Sequence, residues 1–126
     1  MKFMFTIYHD ENVLDAMPEK EMQALVDSAI EYAEELRRSG HYVVSNALQG
    51  TQTARTIRVR GGNTSTSVGP FAETKEQLGG FFVIEAKDMD EACAIAARFP
   101  PARVAVIEVR PVQELKHSRD RRGLPS

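Results

Sequence analysis

The chain has 126 residues, of which 42% are apolar and 27% charged, and its formal net charge is −2. This length supports one hydrophobic core, and the composition is that of an ordinary globular domain without a general attraction to nucleic acid. The single cysteine, Cys93, excludes an intrachain disulfide and a cysteine-based metal cluster, and we expect it to be a small buried residue. No apolar run approaches the roughly 18 residues of a membrane span, so we expect a cytoplasmic protein.

The charge is distributed unevenly. Residues 1–115 contain 12 lysines and arginines against 17 acidic residues, whereas residues 116–126 contain four against one. We predict one domain over 1–115 and a basic, flexible tail over 116–126. A solvated chain end accounts for such a short tail, and a nucleic-acid contact is the less favoured alternative.

The first half of the chain alternates strand and helix patterns. Apolar residues at alternate positions predict a strand over 3–8, followed by a loop from His9 to Met17. Pro18 suits the first turn of a helix that ends at Gly40. The apolar stripe of this helix consists of Met22, Leu25, Val26, Ala29, Ile30, Ala33 and Leu36.

The second half continues with short strands and one helix. Strands are predicted at 42–48, 55–60 and 64–68, the last two joined by a tight turn at 61–63. A strong apolar strand at 80–86 precedes a helix at about 89–98, which Asp88 caps with Glu91 as its capping-box partner. Two prolines end this helix before a final strand at 104–112.

Two strand–helix–strand units predict a ferredoxin-like α+β sandwich, an antiparallel four-stranded sheet with both helices on one face and an extra polar hairpin. An apolar patch on the other face is larger than soluble monomers usually expose. We therefore expect a second copy packed sheet to sheet, forming a homodimeric α/β barrel. In the alternative, the hairpin or the tail covers this face. The patch consists of Met4, Tyr8, Phe81, Val83, Val104 and Val106.

The segment from Gly69 to Leu78 is the strongest candidate for a site. Its alternating charges can hold a polar ligand, and a desolvated carboxylate there could act as a general base. The ligand-binding candidates are Glu73, Thr74, Lys75 and Glu76, and the structural residues of the loop are Gly69, Pro70, Phe71, Gly79 and Gly80. The glycines permit a tight loop but lack phosphate-binding spacing. In the alternative, Lys75 pairs with a neighbouring carboxylate and the loop packs on Phe71.

Further candidates lie at the hairpin and after the first strand. Arg58, which we expect to lie deeper than Arg60, could bind a carboxylate or phosphate with two hydrogen bonds. Tyr8, His9 and Asp10 follow the first strand, where clefts often form, although a solvent-exposed loop histidine is the favoured interpretation. Three scattered histidines without spaced carboxylate partners argue against a metal site, and we expect no metal and no cofactor.

The sequence resembles the DGPF-domain proteins of the YCII-related superfamily over residues 1 to about 115. The resemblance rests on the segments KFMFTIYHDE, EELRRSG and TIRVR, and above all on GPFAETKEQLGGFFVIEAKDMDEACAIAARFP. It implies a dimeric α/β barrel and a cytoplasmic bacterial protein without a well-established activity. Some relatives are associated with extracytoplasmic-function sigma factors.

Two departures from the family pattern bear on function. Val68 occupies the position of the family aspartate, and the first long helix has no histidine, with Glu21 near the position expected for one. The His–Asp pair proposed for YCII proteins therefore does not transfer. We predict a small-ligand-binding protein or vestigial enzyme whose polar pocket lies between the end of the first strand, Arg58 and loop 69–77. The alternatives are an interaction protein associated with a sigma factor and, last, an enzyme using Glu73 or Glu76 as base.

Overall fold

The computed structural model of the chain describes residues 1–121. The main elements are β1 (Lys2–His9), α1 (Glu11–Asp15), α2 (Glu19–Arg38), β2 (Tyr42–Ala47), β3 (Arg55–Arg60), β4 (Asn63–Val68), β5 (Gln77–Glu85), α3 (Met89–Ala97) and β6 (Val106–Pro111). Short 3-10 turns occupy Thr51–Thr53, Pro100–Val104 and Ser118–Arg121. The predicted basic tail extends beyond the described residues at 122–126.

Four strands form one antiparallel sheet in the order β2-β5-β1-β6, and β3 and β4 form a separate two-stranded hairpin. Helices α2 and α3 cover one face of the sheet. This arrangement confirms the ferredoxin-like α+β fold predicted from the sequence. The sheet of the chain ends at β2 on one side and β6 on the other, so it is open and does not close into a barrel. No helix within residues 1–121 has the length and apolarity of a bilayer span.

Aromatic side chains dominate the core between the sheet and the helices. Phe3 and Phe5 of β1 are 1% exposed, and Leu36 of α2 is completely buried. The ring of Tyr32 meets Phe82 and Phe99 edge to face, with centroids 5.5 and 5.2 Å apart. Such edge-to-face pairs add to the apolar area that the rings remove from water. The Tyr32 hydroxyl donates a 2.6 Å hydrogen bond to the carbonyl of Ile95, which satisfies its one buried polar atom.

The buried stripe of α2 differs from the predicted one. Val26 and Ile30 were predicted to be buried but are 42% and 53% exposed, whereas Tyr32 is 4% exposed. Val26 and Ile30 are one turn apart and lie on the side of the helix that faces the β2 edge of the sheet. Both side chains line a cleft between α2 and strands β2 and β5.

Several predicted element boundaries were wrong. The predicted loop His9–Met17 contains helix α1, whose N-cap Asp10 accepts a 3.0 Å hydrogen bond from the backbone N–H of Asn12. Strand β5 begins at Gln77 because the β1 ladder extends to that residue. Strand β6 begins at Val106 because residues 100–104 form a 3-10 turn, so Val104 does not lie on the open face of the sheet.

The burial predicted for Cys93 was also wrong, since this side chain is exposed. Helix α3 buries Ala92, Ile95 and Ala96. Cys93 directly follows Ala92, so its side chain is rotated by about 100° around the helix axis from that of Ala92. The Asp88 cap was predicted correctly, with the Glu91 N–H donating to Asp88 Oδ1 at 2.9 Å. The Glu91 carboxylate accepts from the N–H of Lys87 rather than from the cap residue itself.

Candidate functional site

A cavity of about 750 Å³ lies on the helix side of the sheet, between α2 and the paired strands β2 and β5. Its volume is within the range typical of small-molecule sites. Helix α1 and the Thr51–Thr53 turn border it at the end where β1 finishes. The C-terminal part of α2 and the start of β2 border it at the other end.

The long wall of the cavity is an apolar face of α2. It consists of Met22, Leu25, Val26, Ala29, Ile30 and Ala33. Contact between aliphatic side chains and water is unfavourable in free energy. A bound apolar group that covers these side chains removes this cost. The exposed Val26 and Ile30 side chains are thus accounted for by the cleft they border.

Two glycines shape the floor of the cavity. The β1–β5 register shifts between Ile7 and Tyr8, which leaves Gly79 as the extra residue of a β-bulge. A Cβ atom at Gly79 would lie 1.9 Å from Cε1 of His9, so the imidazole ring occupies the space that a side chain would fill. A Cβ at Gly80 would lie 2.9 Å from the carbonyl oxygen of Asn46. Glycine at both positions therefore admits the His9 ring and the β2 backbone.

Polar groups gather at the end of the cavity where β1 finishes. His9, Glu11, Asp15 and Gln52 line this end. Both oxygens of the Glu11 carboxylate accept hydrogen bonds from Thr51, one from the backbone N–H at 2.9 Å and one from the hydroxyl at 3.0 Å. Glu11 thereby ties α1 to the turn after β2, which fixes the two segments that border this end.

The opposite end carries a cation and a phenol. The guanidinium carbon of Arg37 lies 4.2 Å from the centre of the Tyr42 ring, a cation–π contact. The Tyr42 hydroxyl is 2.9 Å from Oγ of Ser45. The hydrogen bond with Ser45 lowers the pKa of Tyr42 below its ordinary value, and the Arg37 charge acts in the same direction. This end favours an electronegative group on a ligand.

The cavity combines apolar and polar linings. It offers an apolar middle, a histidine and carboxylates at one end, and an arginine, a phenol and a hydroxyl at the other. Within residues 1–121, no three His, Cys, Asp or Glu side chains are placed to share a metal ion.

The structure separates the residues that the sequence singled out. Of the ligand-binding candidates, His9 lines the cavity, and the other members of the set belong to other surfaces. Tyr8 is half-buried in β1 and pairs with Leu78 and Val106, and Asp10 caps α1. Arg58 and Arg60 are both exposed on β3.

The charged loop keeps its polar side chains in solvent. Glu73, Thr74, Lys75 and Glu76 are all exposed, and Phe71 is 79% exposed, so the loop does not pack on that ring. The Thr74 hydroxyl donates to the carbonyl of Glu76 at 2.6 Å. The ion pairs found among residues 1–121 do not include Lys75. Gly79 and Gly80, predicted as loop residues, lie within β5. Ligand binding by this loop stays a prediction.

Sequence reasoning missed most of the cavity. Glu11, Asp15, Arg37, Tyr42 and Gln52 were not selected, although each lines it. They are scattered over 42 positions, and no spacing connects them because only the packing of α2 against β2 brings them together. The pair of adjacent glycines was the available signal, since two glycines inside an apolar strand indicate a bulge or a close approach.

The family model of the YCII-related domain matches residues 1–116. The chain belongs to the YCII-related family. This YCII-related protein is 32% identical over 114 residues to an uncharacterized protein of Rhizobium meliloti (strain 1021), covering 89% of this chain and 92% of the relative. Membership of the superfamily predicted from the sequence is thus confirmed, and the DGPF branch stays a prediction.

Among solved structures, the chain is similar to 5-chloro-2-hydroxyhydroquinone dehydrochlorinase from Burkholderia phenoliruptrix AC1100, in complex with 2,5-dihydroxybenzoquinone. It is 17% identical to this YCII-related protein, with a TM-score of 0.48, and the match covers 95% of this chain and 98% of that one.

Proposed function

We propose that this YCII-related protein binds a small molecule in the cleft between α2 and the β2–β5 side of the sheet. The observation that carries the proposal is the cavity of about 750 Å³ with an apolar wall and polar groups at both ends. Sites of this kind bind a ligand through its apolar body and orient it through a few polar contacts. The ligand is expected to have an apolar middle and an electronegative group directed at Arg37 and Tyr42.

A substitution on the cleft wall tests this placement. Ile30 is 53% exposed and lines the cleft, so Ile30→Glu puts a charge beside the ligand without disturbing the core. We expect at least a tenfold weaker affinity for any ligand found in a thermal-shift screen, measured by calorimetry, because the charge must lose water when the ligand binds.

Ala24→Glu is the matched control, because Ala24 is exposed on the same helix and does not line the cleft. This variant should bind as the parent does. Equal affinity of both variants and the parent would contradict the placement of the ligand in the cleft. If Glu73→Ala with Lys75→Ala abolished binding instead, the charged loop would be the site.

We also propose that the protein is a homodimer through the open face of the sheet. Tyr8, Phe81 and Val83 on this face are half-buried, and Val106 is 52% exposed. Full burial of an exposed side chain of this size contributes roughly 1.5–3 kcal/mol, and a second copy packed on this face would gain the part of it that the single chain leaves unrealised. The association with a sigma factor stays a prediction.

A further inference from the structure

The hairpin β3–β4, residues 55–68, projects from the fold as an arm. All its residues except Thr56 are exposed, and within residues 1–121 neither of its strands packs extensively on another helix or strand. Strands of six residues give the arm a length of roughly 20 Å. A two-stranded hairpin in water is marginally stable by itself, so this exposed element needs an explanation.

The arm has a turn and a base that fix its shape. Gly61 and Gly62 at its tip have φ angles of +56° and +78°, the conformation of the two-residue turn that matches strand twist. At its base, the N–H of Gly69 donates to the carbonyl of Ala54, and the Thr56 hydroxyl donates to the carbonyl of Gly69, both at 2.8 Å. The two strands of the arm are therefore joined to each other at its tip and at its base, and the side chains on its faces are exposed.

The three aliphatic side chains of the arm lie on one of its faces, which we call its apolar face, beside Arg55, Thr64 and Thr66. The register pairs Ile57 with Thr66, Val59 with Thr64 and Arg55 with Val68, so these side chains share a face. Ile57, Val59 and Val68 are 64%, 58% and 74% exposed. A row of β-branched residues exposed to this degree on a projecting element is typical of a protein contact.

The charge of the arm complements the rest of the chain. The arm contains Arg55, Arg58 and Arg60 and no acidic residue, which gives it +3. Because the whole chain carries −2, the remainder carries −5. A second copy of this chain therefore offers a body of opposite charge to the arm, and the first copy offers the same in return, as two-fold symmetry requires.

We propose that the arm grips the body of a second copy of this chain, with the apolar face of Ile57, Val59 and Val68 in the contact. This contact is additional to the proposed sheet-to-sheet interface. The proposal does not depend on ligand binding in the cleft, so a test can reject either one and leave the other. Binding to a phosphate backbone would need only the arginines and would leave the exposed apolar side chains without a role. The apolar face therefore favours protein over nucleic acid as the partner of the arm.

Sedimentation over a dilution series of the full chain tests this proposal. Ile57→Thr with Val59→Thr keeps β-branched residues in β3 but removes apolar surface from both arms of the dimer. We expect the dimer dissociation constant to rise about 100-fold or more. Raised NaCl should weaken the parent dimer. The control, Ser65→Thr with Ser67→Thr on the opposite face of the arm, should leave the constant unchanged.

Hydrogen exchange of the parent protein provides a test that needs no variant. Amides of residues 55–68 should be protected well above the dimer dissociation constant and exchange faster well below it. A monomeric parent, an unchanged constant for the Thr variant, or arm exchange independent of concentration would each overturn the proposal. Binding of a DNA duplex that requires Arg58 and Arg60, with no effect of the Thr variant on assembly, would also overturn it in favour of nucleic acid.

Discussion

At the scale of single residues, the contact between His9 and Gly79 determines the shape of one end of the cleft. The imidazole occupies the space of the absent side chain, with only 1.9 Å between its Cε1 and an ideal Cβ. We expect Gly79→Ala to lower the free energy of unfolding by about 1–2 kcal/mol, because the ring must leave this position.

A double-mutant cycle with His9→Ala isolates this effect. In the His9→Ala background the Gly79→Ala substitution should cost less, since the group it displaces has been removed. Urea unfolding of the four proteins measures both costs. The same cost in both backgrounds would show that backbone strain, and not the histidine ring, accounts for the glycine.

Tyr32 makes the stability of the fold depend on pH in the alkaline range. Burial raises the pKa of Tyr32 to about 12 from an ordinary value of 10.0. As pH rises, the unfolded chain therefore loses the Tyr32 proton before the folded chain does. The contribution of Tyr32 to the free energy of unfolding is complete below pH 10 and is lost between pH 10 and about 12.

Tyr32→Phe tests this dependence. The variant should be about 1 kcal/mol less stable at pH 8, because the hydrogen bond to Ile95 is lost. Its stability should then fall less steeply than that of the parent above pH 10. Parallel curves of unfolding free energy against pH would contradict the role of Tyr32.

At the scale of elements, Glu11 connects the short helix α1 to the turn at Thr51–Thr53. A five-residue helix cannot be stable by itself, so it depends on its cap and on this contact. We expect Glu11→Ala to destabilise the protein by about 1–2 kcal/mol, since it removes two hydrogen bonds to a carboxylate. Hydrogen exchange should quicken in residues 50–54.

Glu19→Ala is the matched control for this element. Glu19 is an exposed acidic residue in the first turn of α2 and contributes only a helix-dipole interaction, worth a few tenths of a kcal/mol. Equal effects of the two substitutions on exchange at residues 50–54 would show that Glu11 does not order this end of the cleft.

At the scale of the whole molecule, the open face of the sheet is expected to hold the second copy. Phe81 lies on this face beside Thr6 and Asn46 and is half-buried. Phe81→Asp should convert the dimer into a folded monomer, because a carboxylate buried at the interface would lose its hydration. Light scattering gives the mass, and circular dichroism checks the fold.

Ala24→Asp on the exposed side of α2 should leave the mass unchanged. A dimer that persists in Phe81→Asp would contradict the sheet-to-sheet arrangement. A monomer in Phe81→Asp together with an unchanged dimer in the Ile57 and Val59 variant would retain this interface and reject the arm.

Local patterns predicted most elements because each follows from interactions between near neighbours in sequence. The limits of α2, the span of β3, the hairpin turn at Gly61-Gly62 and the cap at Asp88 follow from helix periodicity, alternation, left-handed glycines and side-chain capping. Helix α1 escaped detection because five residues carry no measurable periodicity. The charged loop drew attention because charge density is visible in a sequence, whereas solvent exposure is not.

The amino-acid sequence by itself determined the order of strands and helices, the ferredoxin-like topology and the family, since these depend on periodicity, turn residues and crossover handedness. Only the tertiary structure decided how α2 is rotated over the sheet, which side chains it leaves in the cleft and that Cys93 faces solvent. The physical reason is that a binding cleft is the space left between packed elements. Its residues come from distant segments, and the packing that brings them together leaves no local pattern.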